Sequence, residues 1–168
     1  NRLVADHAQL RQAVCNVLAD RGIEHGEISL AIISDPQMQV LNARYLDHDW
    51  PTDVLSFVHE SSAQRLDGEI IVSADTAERE SRQYGWEPAD ELLLYIIHGA
   101  LHLIGHDDHN ADDLADMRTA ERRHLASFGL TPRYDASHGP WAESTSCPSE
   151  SSDSDNLEVR TTESEGGA

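Results

Sequence analysis

The run Leu92-Leu93-Leu94-Tyr95-Ile96-Ile97 is the feature that most limits how this chain can fold. Helical punctuation surrounds it: Pro88 suits a first helical turn and Gly105 suits a stop. The helix this predicts, from about Ala89 to Ile104, is apolar nearly all round. Such a helix belongs at the centre of a core and not on a surface.

Toward its end the same helix carries His98 and His102, and four of the ten histidines (His98, His102, His106, His109) fall within twelve residues. Histidines at i and i+4 lie one turn apart on one face, a separation at which both imidazoles can bind a single ion. Gly105 then allows a sharp turn, so that Asp108 or His109 can swing back as a third ligand. Buried imidazoles are costly unless each has a partner, and one metal ion satisfies several together. Three protein ligands leave a coordination position open, the mark of a catalytic site more than a structural one. Zinc suits imidazole best, with nickel, copper or iron as other divalent candidates. Metalloproteases of the H-E-x-x-H type place a glutamate directly after the first histidine as general base. Here that position is Gly99, which argues against peptide hydrolysis.

The rest of the chain predicts helices and strands that alternate without a regular βαβ rhythm. Leu10, Val14, Val17 and Leu18 recur at helical spacing over Ala5–Ala19. A strand at Glu27–Ser34 leads into a helix opened by Ser34-Asp35-Pro36, with Met38, Leu41 and Tyr45 inward. After a loop around Trp50, strands at Val54–His59 and Glu69–Ser73 are close enough to pair. Ser73 and Asp75 can cap a helix that stops at Gly85, and Asn110 can cap a last one with Leu114, Met117, Ala120, Leu125 and Phe128 inward. Most of the set Arg118, Arg122 and Arg123 on that helix reads as a salt-bridged exposed face among acids. The expected class is α+β, a small mixed sheet packed against several helices, with the metal site at the end of the central apolar helix.

With 168 residues, one domain over 1–133 is expected. Residues 134–168 carry eight acids against a single arginine and few large apolar groups, so an acidic, serine-rich, disordered tail is expected there. No apolar run is long enough to span a membrane, and nothing at the start reads as a secretory leader; a cytoplasmic location is expected. The net charge of −19 opposes loose binding to polyanions, so a nucleic acid would have to be held locally. All twelve basic residues are arginine, the residue suited to bidentate phosphate contacts.

Three stretches together resemble the YbeY family of bacterial metal-dependent endoribonucleases. They are Leu41-Asn42 through Tyr45 with Pro51-Thr52-Asp53-Val54-Leu55-Ser56-Phe57, then Gly68-Glu69-Ile70-Ile71-Val72-Ser73, and the segment His98–His109. The resemblance implies a zinc-dependent endoribonuclease, one ion per chain, acting on single-stranded RNA. It further implies a role in maturation of the 16S ribosomal RNA 3′ end and in ribosome quality control. The small ribosomal subunit and its assembly factors are the implied partners, and no membrane is involved. His98 and His102 match two metal ligands of the family; the register of the third falls on Asp108, with His109 one place later as the alternative. Leu46 stands where the family has an arginine, which shifts the phosphate contact to Arg44 or another arginine. His106, where the family usually has tyrosine, and Asp107 are the candidate proton donors. Two rival functions stay open at this level: a hydrolase of small esters or amides, and a non-catalytic ribosome-assembly factor with a structural metal.

Overall fold

The computed structural model describes residues 5–45, 53–132, 145–146 and 157–163. Among the described residues, five helices surround a five-stranded mixed sheet. In chain order the elements are α1 (His7–Asp20), β1 (Gly26–Ile33), α2 (Asp35–Tyr45), β2 (Val54–Ser61), β3 (Leu66–Ser73), α3 (Ala74–Tyr84), α4 (Pro88–Leu103), α5 (Ala111–Ala126), β4 (Thr145–Ser146) and β5 (Leu157–Glu163). The strand order is β4-β2-β3-β1-β5. β2 and β3 pair, as their spacing predicts, and do so antiparallel, while β1 runs parallel to both β3 and β5.

Local chemistry sets the helix ends. Asp6 caps α1 by accepting from the Ala8 and Gln9 amides, and Ser73 caps α3 by accepting from Thr76. Gly85 takes the left-handed conformation that closes α3. Below it, Ser73 and Thr76 donate to Asp35 Oδ1, and Arg79 Nη1 donates to Asp35 Oδ2 at 2.9 Å, tying the start of α2 to α3.

The two faces of the sheet bury unequal cores. Ile28, Leu30, Ile32, Val54, Ile70 and Val72 point to one face, where α4 lies with α1, α3 and α5 around it. Met38, Leu55, Phe57 and Ile71 form a smaller cluster on the other face, beneath α2. Every residue of α4 from Glu91 to Leu103 is buried. Full burial of each Leu or Ile side chain contributes roughly 1.5–3 kcal/mol, so α4 is the largest single contributor to the core. No helix among the described residues is long and apolar enough to cross a membrane.

Two expectations change. Tyr45 does not point inward: it is 48% exposed and leans on Phe57, ring centroids 5.5 Å apart. The expectation of a disordered tail does not extend to 157–163, which form β5 in parallel register with β1. Val159 is buried there, and His7 on α1 hydrogen-bonds Thr161 and Glu163. Average composition hides the β-branched pattern of Val159, Thr161 and Thr162 that suits an edge strand. Leu46, Trp50, Thr52 and Cys147 lie outside the described residues.

Gly99 lets α4 sit directly on the sheet. A Cβ built there would lie 2.8 Å from Ile70 Cγ2, 2.9 Å from Ser56 Oγ and 3.1 Å from Val54 Cγ2, and Ser56 Oγ already donates to the Gly99 carbonyl at 3.0 Å. Alanine has the higher helix propensity, yet Gly99→Ala is expected to lower stability by about 1–3 kcal/mol through overpacking. Urea unfolding measures this; an unchanged or raised midpoint would show that α4 and the sheet are less closely seated.

Candidate metal centre

Because α4 is buried on all sides, its polar residues must find partners inside the protein. Glu91, Tyr95, His98 and His102 follow one another at spacings of four, three and four, which places them along one face of the helix. The upper half of this stripe is the histidine pair. His98 Nε2 and His102 Nε2 approach to 2.9 Å, with the rings edge to face.

The third member comes from the turn beyond the helix. Gly105, at φ 99°, follows the last turn, and the His106 amide donates back to the Leu101 carbonyl at 3.0 Å. Arg21, at the end of α1, donates to the Ile104 carbonyl at 2.8 Å and so satisfies a helix-end acceptor. The reversed chain brings Asp108 back under α4, where its amide donates to Asp107 Oδ1. Asp108 Oδ2 then lies 3.6 Å from His98 Nε2 and 3.9 Å from His102 Nε2.

The donor set fits a divalent ion. Tetrahedral coordination at zinc's usual bond lengths puts ligand atoms about 3.3 Å apart, a value the three separations bracket. Two imidazoles and one carboxylate are borderline-soft donors of the kind zinc and its neighbours take. Burial above all, and His98 next, holds the His102 imidazole well below its ordinary value, against the pull of Asp108 and Asp107. The ring is therefore neutral at physiological pH, the form that binds metal. It is also hydrogen-bonded to the backbone of His106.

On the other side of His98, Nδ1 lies 2.6 Å from Glu121 Oε1, and Glu121 Oε2 accepts from Arg118 Nη1 at 3.0 Å. Burial pushes the Glu121 carboxyl up, but its bonds with His98 and Arg118 outweigh that and hold it below its usual value. Arg118 is the exception to the exposed arginine face: it is only 8% exposed, whereas Arg122 and Arg123 lie on the surface, Arg123 paired with Asp20. Sequence reasoning missed Glu121 as well. The available signal was register, since Glu121 is four residues after Met117 and four before Leu125, an acid on the apolar face.

The remaining candidates are not members of the His98, His102, Asp108 donor group. His109 is exposed and pairs with Asp107 at 3.0 Å, and with Asp107 and Asp108 it forms a second group of donors within 4.8 Å of one another. His106 is half-buried, and the charges that act on it are Asp116, Arg123, Arg21 and Asp20. Arg44 is exposed in the last turn of α2.

The lower half of the stripe is acidic. Glu91, only 2% exposed, accepts from Trp86 Nε1. Burial, reinforced by Glu80 and Glu121, raises its carboxyl from the usual 4.5 to about 7, and burial with Glu80 and Glu91 raises Asp53 from 3.8 to about 7. The folded protein therefore keeps protons that the unfolded chain has released. Stability conferred by these groups is full below about pH 4 and declines as pH rises to about 7. Glu91→Gln is expected to make that decline shallower, read from denaturation midpoints taken across the window; an unaltered slope would remove Glu91 as a contributor.

Fold and site together define an α+β domain with a buried His-His-Asp cluster of metal-binding type. Its relatives are consistent with that class. A family model described as Endoribonuclease YbeY matches residues 3–129. The endoribonuclease YbeY of Rhodopirellula baltica is 36% identical over 124 residues, 73% of this chain and 64% of the relative. That of Chloroherpeton thalassium is 37% identical over 120 residues, 71% of this chain and 84% of the relative. The solution structure of TM1509 from Thermotoga maritima shares the fold at a TM-score of 0.52 with 23% identity, covering 73% of this chain and 83% of that one. The chain belongs to the YbeY endoribonuclease family.

Proposed function

We propose that this protein is a metal-dependent endoribonuclease that hydrolyses phosphodiester bonds in single-stranded RNA. The observation that carries the reading is the convergence of His98 Nε2, His102 Nε2 and Asp108 Oδ2 in a chain matched by the YbeY family over residues 3–129. Its place is in the cytoplasm, in maturation of the 16S ribosomal RNA 3′ end and in ribosome quality control, with the small ribosomal subunit and its assembly factors as partners.

His98, His102 and Asp108 are the residues proposed to hold one zinc ion. Bound there, the ion would supply Lewis-acid activation of a hydrolytic nucleophile and neutralise charge on the phosphoryl group. The chain's own residues do the rest. The neutral His102 imidazole presents a lone pair without first losing a proton, and the apolar wall of α4 keeps bulk water from the donors. Arg44, exposed at the end of α2, is the proposed phosphate contact, supported by the bidentate geometry of guanidinium. His106, on the turn that carries Asp108, is the proposed proton donor to the leaving oxygen. A chain this acidic gains little from nonspecific attraction to RNA, so such local contacts must provide the grip.

Metal content and cleavage of single-stranded RNA, duplex RNA and a generic ester, measured on the same preparations, test the reading. Chelation and the substitutions His102→Ala and Asp108→Ala are expected to remove metal and RNA cleavage together, while His109→Ala retains both. Full metal occupancy in the His102 variant overturns the site. Loss of metal in the His109 variant with retention in the Asp108 variant transfers the third ligand to His109. Ester turnover without RNA cleavage overturns the substrate.

A further inference from the structure

The face of α5 that meets α4 carries charge where apolar packing would be simpler. Arg118 and Glu121 sit among Met117, Ala120 and Leu125, and Glu121 has no exposure at all. Burying two charges is costly even when they are paired, so their contribution to packing alone is a poor account of them. The geometry gives a better one. Each oxygen of Glu121 faces one donor: Oε1 meets His98 Nδ1 at 2.6 Å, and Oε2 takes Arg118 Nη1 at 3.0 Å. An ionised carboxylate is acceptor-only, so the short contact requires the His98 proton to be on Nδ1. In the neutral ring, the form that binds metal, the lone pair is then on Nε2, the atom that faces His102 Nε2 and Asp108 Oδ2.

We propose that Glu121, anchored by Arg118, is a positioning residue that fixes the tautomer and ring orientation of His98 for a divalent cation. The inference rests on the metal-site reading given above and adds to it two residues that touch neither metal nor substrate. A carboxylate behind a ligating imidazole orients the ring and increases its basicity, and loss of such a partner typically weakens metal binding roughly 10–100-fold. Arg118 makes the arrangement directional. In Glu121→Gln the side-chain shape is kept, but an amide has only one acceptor oxygen for two donors. When that oxygen serves Arg118, the NH2 group faces His98 Nδ1 and selects the tautomer whose proton points into the metal site. Removing Arg118 frees the amide oxygen to turn to His98.

Cobalt(II) titration of the full chain against a competing chelator, followed by the visible absorption of the bound ion, reads this directly. Glu121→Gln is expected to bind cobalt roughly 10–100-fold more weakly than wild type. The double variant Glu121→Gln/Arg118→Leu is expected to recover part of the loss, which a purely structural role for the pair does not predict. Histidine side-chain nitrogen NMR of the metal-free wild-type chain provides a second measurement that needs no variant to fold; it is expected to place the His98 proton on Nδ1. Wild-type affinity in Glu121→Gln beside abolished binding in His98→Ala overturns the positioning role and leaves the metal site intact, as does a His98 proton found on Nε2. Wild-type affinity in His98→Ala overturns the metal reading itself.

Discussion

A helix buried on every side removes from water whatever polar groups it carries, and α4 carries Glu91, Tyr95, His98 and His102 along one face. Each must be satisfied from within the protein, and most of the surrounding architecture follows from that demand. Trp86 is turned toward Glu91, α5 delivers Glu121 to His98, and the chain doubles back after Gly105 to bring Asp108 beneath the histidines. The apolar majority of α4 stabilises the fold; its polar minority determines where neighbouring elements contact it.

The same burial explains why the proposed metal donors are held in place. An exposed pair of histidines would titrate near neutrality and swing among rotamers. Inside the core, His102 is kept neutral by its surroundings, and both rings are fixed on their far sides, one by the Glu121 carboxylate and the other by the His106 backbone. The site is therefore a product of the core and not an attachment to it. Arg44 and His109, by contrast, are exposed, and His109 pairs with the neighbouring Asp107.

Much of this was legible in the sequence. The punctuation by Ser73, Gly85, Pro88, Gly105 and Asn110 located three helices to within a residue or two, because capping and left-handed glycines are local chemistry. The i, i+4 histidines and the returning aspartate were legible for the same reason. What escaped required knowledge of the partner across the contact. Glu121 and Arg118 lie 23 and 20 residues from His98, and a charged face on a helix looks the same in sequence whether it meets solvent or a buried imidazole. Tyr45 followed helical spacing inward in expectation, but α2 covers only a small cluster and leaves that ring at its rim. β5 escaped because one short alternating segment was averaged into an acidic tail.

The close seating of α4 on β2 and β3 has a bearing on how this candidate site can change. The residue after the first histidine is the place where a different metallohydrolase class keeps its general base, and here that residue has its would-be Cβ pressed against Ile70, Ser56 and Val54. A glutamate at that position would need the helix to lift from the sheet, and the two histidines would move with it. The two chemistries are thus separated by the spacing of a helix over a sheet, and no single substitution bridges them. Redesign toward peptide hydrolysis would have to begin with the side chains under Gly99 and not with Gly99 itself.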